Sequence, residues 1–253
     1  MLRSLFALLL AAPLSTFAAS PAEFAPVASL LAGATPEQSG LKLDLPSVSE
    51  DGSAVPVGVQ FSGELAAGDR LVSLHLFATE NPKPELIAFR LLSEQTLPDF
   101  NTRIRLNESQ QVIAVAISEQ GQSWISAKDV RVTISGCAVP DENAVVGTQM
   151  ENPRIALPRR IQTGAPVELR TLINHPMETG LRSGHDGNLI PQNLVQSLQL
   201  AIDEQPALEV QFANGTAANP YVRLVVQGSG KELGFRWRDQ QGVEVVEKRQ
   251  LPL

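Results

Sequence analysis

The chain has 253 residues, of which 43% are hydrophobic and 19% charged, with 27 acidic residues against 20 Lys and Arg and a formal net charge of -7. With a mean hydropathy of -0.01, this composition excludes both a disordered polymer and a membrane-spanning protein, and the acidic balance argues against a nucleic-acid partner. A single cysteine excludes an internal disulfide framework and every multi-cysteine metal site.

The first 20 residues read MLRSLFALLLAAPLSTFAAS. One positive charge at Arg3 precedes an apolar run from Leu5 to Leu14, and small residues follow at Ser15, Thr16, Ala18 and Ala19. That order is the secretory signal pattern: a charged start, an apolar run too short to span a bilayer, then a small-residue cleavage site. Cleavage is expected after Ala18 or one residue later, and residues 1–18 are assigned to the signal peptide. Loss of Arg3 leaves 19 basic against 27 acidic residues, a mature charge of -8. An uncleaved anchor is the alternative, and the short apolar run argues against it. Export places one unpaired thiol in an oxidising compartment, where an odd cysteine points to intermolecular pairing or to a reactive group.

Beyond the signal, apolar residues alternate with period two. In chain order the runs are Val55–Val57–Val59–Phe61, Leu74–Leu76–Ala78, Ile113–Val115–Ile117 and Val130–Val132–Ile134. After residue 150 come Val167–Leu169–Thr171–Ile173, Leu198–Leu200–Ile202, Leu208–Val210–Phe212, Val222–Leu224–Val226, Leu233–Phe235–Trp237 and Val243–Val245. Turn clusters such as Glu50-Asp51-Gly52, Ala67-Gly68-Asp69, Gly228-Ser229-Gly230 and Gln240-Gln241-Gly242 separate them, as in antiparallel sheets with one buried face. Helix is expected only at Pro21–Leu31 and Gln192–Gln196. Aromatics are 5% of the chain, so Val, Leu, Ile and Ala must build the core.

Between Ile134 and Ile155 the alternation stops in SGCAVPDENAVVGTQMENPR. This stretch divides the chain into two strand sets of the size of an immunoglobulin-like sandwich. The expected architecture is all-β: two immunoglobulin-like β-sandwich domains, residues 19–137 and 153–253, packed against each other and joined by an irregular linker at 138–152. The linker reads equally as a mobile tether or as a merely solvated connection.

Cys137 is the residue whose chemistry and position coincide. It stands three residues beyond Ile134, preceded by Gly136, which supplies backbone freedom and no side chain where a thiol must enter a partner's narrow pocket. At an unperturbed pKa near 8.5, roughly a few per cent of such a thiol is thiolate at pH 7, enough for a nucleophile. A buried, incidental cysteine is the alternative. A Cys-His hydrolase would need a base among His75, His175 and His185. His75 lies within an alternating run, on its outward face. His175 precedes Pro176 and His185 precedes Asp186, so both read as loop residues. His175, His185 and Asp186 match no known metal-ligand motif, and no nucleophile elbow, phosphate loop, dinucleotide fingerprint or haem motif is present. The residues favour a binder or carrier over an enzyme, with no catalytic residue, metal or cofactor assigned.

Two blocks carry a resemblance. Residues 41–137, with LKLDLPSVSEDGSAVPVGVQ, SLHLFATENPKPELIAFRL, TRIRLNESQQVIAVA and VRVTISGC, resemble SoxY, the sulfur-carrying subunit of bacterial periplasmic thiosulfate oxidation. Residues 151–253, with PRIALPRRIQTGAPVELRTLINHPMETG, DGNLIPQN, ANPYVRL and FRWRDQQG, resemble SoxZ, its partner subunit. The tandem order makes the chain similar to a natural fusion of the two. The resemblance implies a periplasmic carrier that is itself no enzyme and has no resident cofactor. Cys137 would hold sulfur intermediates while partner oxidoreductases and hydrolases act on them. Fused forms near genes for periplasmic quinoprotein dehydrogenases imply a rival role, a non-covalent accessory of such a dehydrogenase with Cys137 incidental. The segment His175-Pro176-Met177-Glu178-Thr179-Gly180 matches the SoxZ-like block as a signature without assigned chemistry, shaping a turn or the inter-domain surface. The family thiol sits in a Gly-Gly-Cys-Gly-Gly arm at a free carboxyl end. Here the arm reads Ser135-Gly136-Cys137-Ala138-Val139-Pro140 and the chain continues, so the thiol reaches on the order of 10 Å from the strand end.

Overall fold

The computed structural model describes residues 20–135, 149–184, 186–228 and 230–252. Gly136, Cys137, His185 and the expected signal peptide lie outside the described residues.

The alternating runs become strands because each offers one apolar face to a common interior. The first half supplies β1 (Leu41–Asp44), β2 (Val48–Asp51), β3 (Val55–Phe61), β4 (Leu71–Ala78), β5 (Glu85–Leu91), β6 (Thr96–Ile104), β7 (Gln110–Ser118) and β8 (Ser123–Ile134). The second half supplies β9 (Glu151–Ala156), β10 (Pro166–Asn174), β11 (Val195–Ile202), β12 (Gln205–Phe212), β13 (Tyr221–Gln227), β14 (Glu232–Asp239) and β15 (Glu244–Gln250). Val243 stays in the turn before β15. The helix expected at Pro21–Leu31 forms as a 3-10 turn, Pro21–Glu23, followed by α1 (Ala25–Leu31), which ends where Ala32 turns left-handed at φ 49°. The helix expected at Gln192–Gln196 does not form. Asn193 N–H donates to the Glu178 carbonyl, and from Val195 onward the chain pairs with β14, so tertiary partners override a weak local preference.

The protein is an all-β, immunoglobulin-like sandwich of two sheets. One has the order β1-β3-β6-β13-β10-β9, the other β15-β14-β11-β12-β5-β4-β7-β8-β2. Both sheets run through both halves. β6 pairs antiparallel with β13, from Val222↔Thr102 to Val226↔Thr96. β12 pairs antiparallel with β5, from Leu208↔Leu91 to Phe212↔Ile87. The halves therefore meet strand edge to strand edge, and each hides two sheet edges that would otherwise invite aggregation. One hydrophobic core crosses the junction. Phe89 of β5 stacks on Phe100 of β6 with ring centroids 4.3 Å apart, next to Val210 and Leu224 of the second half, all fully buried.

β7 is buried on both faces. Val112, Ala114 and Ala116 face the interior, whereas Ile113 and Val115 face outward and are covered by Val27 and Leu31 of α1, together with Phe77 and Ile125. The alternation at Ile113–Val115–Ile117 thus marks the helix-covered face rather than the central core.

On the open face of the six-stranded sheet, Arg223 of β13 ties the halves together. Its guanidinium donates to Asp99 at 2.6 Å and Asn101 at 3.0 Å in the first half, and to Glu168 at 2.7 Å in its own. Arg223, and then Arg170, hold the Glu168 carboxyl below its usual range. A depressed carboxylate stabilises the fold above its unfolded pKa, and that contribution is lost as pH falls below about 4.5 through the folded value. Arg223→Ala is expected to cost about 1–2 kcal/mol at neutral pH, since the network is only partly shielded. The loss of stability below pH about 4.5 should also become shallower. Urea denaturation from pH 7 downward checks both.

Candidate functional site

The antiparallel registers collect a defined set of strand ends at one end of the sandwich. β4, β6, β8, β10, β12 and β14 finish there, and β3, β5, β7, β11, β13 and β15 begin there. β8 is the strand that leads toward Cys137. It outruns β7 by four residues, Arg131 to Ile134, and takes β2 as a parallel partner over that overhang. Gly52 N–H donates to the Ile134 carbonyl at 2.9 Å, and Ser135 Oγ lies 3.0 Å from Asn107 Oδ1 in hydrogen-bond contact. The chain is next described at Gln149, and Glu151 of β9 pairs with Asn174 at the end of β10. Ile134, before Gly136 and Cys137, and Glu151, after them, thus lie at the same end of the sandwich.

The β6–β7 connection, Arg105-Leu106-Asn107, links that exit to the second half. Asn107 N–H donates to Asn81 Oδ1 at 2.9 Å, and Asn81 Nδ2 donates to the Arg105 carbonyl at 2.9 Å. Gln110 Nε2 also donates to Asn81 Oδ1. Asn81 and Gln110 are both buried, so the turn is fixed by side chains with no freedom to re-solvate. Two residues before Asn107, the Arg105 guanidinium reaches across the junction and donates to the carbonyls of Met177 at 2.5 Å and Pro176 at 3.0 Å.

Those carbonyls belong to the His175–Gly180 signature, which is buried at the junction. His175 is fully buried; its backbone N–H donates to Asn219 Oδ1 and its carbonyl accepts from Asn219 N–H. Met177 turns left-handed at φ 51°, and its N–H donates to His175 Nδ1 at 3.0 Å. Glu178 forms an ion pair with Arg182 at 2.7 Å, and Val195 N–H is directed at Met177 Sδ at 3.3 Å. The loop 213–220 completes the clasp. Arg105 N–H donates to the Gly215 carbonyl and Thr216 Oγ1 to the Leu86 carbonyl. A Cβ at Gly215 would collide with the Leu86 side chain, so only glycine allows this approach. The signature thus shapes both a turn and the inter-domain surface.

Burial pushes the His175 imidazole down to about 4, so it is neutral at physiological pH. Because Nδ1 accepts from Met177, the proton sits on the buried Nε2, and neither nitrogen is free to act as a base. His75, on the outer face of β4 between Ala88 and Val115, is likewise pushed down to about 4 by burial and by Arg90. Its ring lies against Phe77, three residues before β4 ends. His185, the third histidine considered as a base, lies outside the described residues. Asp186 is occupied by Asn188 through its backbone and side-chain amides. Among the described residues, no three His, Cys, Asp or Glu gather as metal ligands.

A buried neutral histidine links stability to pH. Its folded pKa lies below the unfolded 6.5, so its contribution is complete above pH about 6.5 and is lost as pH falls toward 4, by about 3 kcal/mol in all. His175→Asn keeps an oxygen acceptor for the Met177 N–H. It is expected to remove about 1.4 kcal/mol per pH unit from the stability slope between pH 6 and 4.5. Denaturation midpoints across that range check it.

Sequence reasoning singled out Cys137, Gly136 and the His175–Gly180 signature, but not Asn81, Arg105, Asn107 or Asn219. These four are polar residues in or beside loops, with no periodic pattern; only the fold shows what they hold.

A sandwich whose two sheets both run through both halves of the chain, with β8 leading toward the single cysteine, defines the class of this protein. Family comparison gives its membership. The family described as Sulfur oxidation protein SoxY matches residues 27–137, and the family described as Sulphur oxidation protein SoxZ matches residues 155–250. The chain is a fused SoxYZ-like protein, a SoxY-family region followed by a SoxZ-family region. No curated protein matches it. Among solved structures, the sulfur carrier protein SoxY from Chlorobium limicola f thiosulfatophilum is 23% identical, with 46% of this chain and 100% of that chain covered and a TM-score of 0.37. Superoxide reductase (neelaredoxin) from Ignicoccus hospitalis is 18% identical, with 36% of this chain and 79% of that chain covered and a TM-score of 0.33. No described helix is long and apolar enough to cross a membrane.

Proposed function

We propose that this protein is a periplasmic carrier that holds sulfur intermediates covalently on Cys137 and presents them to partner oxidoreductases and hydrolases. The observation that carries the reading is that the SoxY-family match ends at residue 137, the chain's single cysteine. The first half ends in a strand that projects beyond its neighbour toward that residue. A Cys137 thiolate and thiosulfate dianion would join through a new S–S bond as an S-thiosulfonate. The two electrons released pass to a redox partner, which makes that partner indispensable. The carrier supplies no catalytic group and no resident cofactor; the sulfur species is cargo. Covalent attachment keeps each intermediate from diffusing away and presents it to successive enzymes at high effective concentration.

The test is intact mass spectrometry of the mature protein isolated from its own cells, with and without reductant. The expected result is a chain beginning at Ala19 or Ser20, with increments of sulfur or thiosulfate that map to Cys137 and vanish on reduction. An unmodified thiol under sulfur-oxidising growth would end the carrier reading in favour of a non-covalent accessory role beside a periplasmic dehydrogenase.

A further inference from the structure

The nine-stranded sheet ends at β15, and the chemistry of that edge is complementary to itself. Asp239 N–H donates to the Val243 carbonyl and Leu251 N–H to the Lys231 carbonyl, which fixes the hydrogen-bonding phase of the β14–β15 ladder. Residues 243, 245, 247, 249 and 251 therefore face β14, and the backbone N–H and C=O groups of Glu244, Val246, Lys248 and Gln250 face outward. Among the described residues no strand pairs with that outer side. Val246, at the middle of the strand, is 51% exposed.

We propose that β15 pairs antiparallel with β15 of a second copy about a two-fold axis at Val246, joining the nine-stranded sheets of two molecules into one. In this register the side chains agree, and it pairs opposite charges across the axis. Val246 meets Val246 of the second copy, Glu244 meets its Lys248, and Lys248 meets its Glu244. On the other face Val245 meets Glu247, and no like charges stand opposite each other. An axis at Glu244 or Lys248 would set an identical charge against itself, which cross-strand pairing penalises. The phase also fits. The three pairs that include Val246 are those whose backbone groups point outward, so each exchanges two hydrogen bonds, about six in all.

The existing contacts of the edge are compatible with this pairing. Lys248 already lies 2.7 Å from Glu232 and 4.0 Å from Glu204, and in the pair its ammonium gains a third carboxylate. Glu244 accepts from Arg236 at 3.2 Å from its own side. Arg249 Nη1 donates to the Lys248 carbonyl at 2.8 Å, and the second lone pair of that oxygen remains for the incoming Glu244 N–H. A lysine on an edge strand ordinarily wards off a partner; here a second β15 places a glutamate opposite it. The axis also sets the two copies antiparallel, so their thiol-bearing ends point in opposite directions, each open to its own partner enzyme.

Sedimentation equilibrium of the mature protein over micromolar to millimolar concentrations is the test. The expected species is a reversible dimer that persists in reductant. Val246→Pro removes an outward N–H and no β14 bond, so it should raise the dissociation constant at least tenfold with circular dichroism and Trp237 fluorescence unchanged. Glu244→Lys and Lys248→Glu should each do the same alone, and the double exchange should restore pairing. A monomer at every concentration, a dimer dissolved by reductant, a dimer indifferent to Val246→Pro, or a double exchange that fails to restore pairing would overturn the proposal.

Discussion

Cys137→Ser is expected to leave the fold and its stability unchanged and to abolish the sulfur adduct. The substitution changes one sulfur to oxygen three residues beyond the last residue of β8, with no change in charge and almost none in volume. A serine hydroxyl forms neither a disulfide nor a thiosulfonate, and the chain has no other cysteine to substitute for it. The effect is therefore all or none: intact mass spectrometry should show the bare chain under every growth condition, and sulfur oxidation dependent on this protein should fall to background. Far-UV circular dichroism and the urea midpoint serve as controls and should match the unaltered protein. An adduct that persists in Cys137→Ser, or cellular activity that survives Cys137→Ala, would defeat the covalent mechanism.

The second large effect is expected at Arg105. Arg105→Ala removes the donors that satisfy the Pro176 and Met177 carbonyls and leaves them in a buried junction. A charge-assisted hydrogen bond contributes about 1.5–3 kcal/mol, and a buried acceptor left unpaired adds its own desolvation cost. The expected loss is about 3–5 kcal/mol, a large share of the 5–15 kcal/mol that holds a typical domain. Arg105→Lys should recover only part of it, because an ammonium cannot present the guanidinium's planar fork to two carbonyls. Urea denaturation measures the cost. Hydrogen exchange should show the loosening concentrated at 175–180 and at the exit of β8. A loss below 1 kcal/mol would show that the junction is held by the β5–β12 and β6–β13 ladders alone.

Both effects bear on one arrangement. Arg105 holds the SoxZ-family signature and Asn107 the root of the SoxY-family arm, two residues apart on one turn. The thiol-bearing connection therefore starts from a support that both halves build. Fusion keeps the halves at high effective concentration and tethers the connection at both ends.

The strands of this protein were legible because a half-buried strand must alternate. The runs at Val55–Phe61, Val167–Ile173 and Leu233–Trp237 all lie within strands whose apolar side is buried. The signal-like start, the single thiol and the all-β class also follow from residue type and spacing, and all of these are local; the tandem SoxY-like and SoxZ-like order rests on the resemblance of motif blocks. Which face an alternating run shows to which neighbour is a different matter. Ile113 and Val115 alternate as a core strand does, yet they lie under α1, and nothing in β7 itself distinguishes an inner from an outer apolar face. The run at Gln192–Gln196 resembled a short helix until pairing with β14 made it strand. The edge-to-edge joining of the halves, the burial of His175 and the roles of Arg105 and Asn107 arise from contacts between residues more than 70 positions apart or across separate turns. A hydrogen bond of that range leaves no period in the sequence. Composition and spacing thus determined the elements and the chemistry available, and only the tertiary structure decided which polar groups lost water and had to find each other.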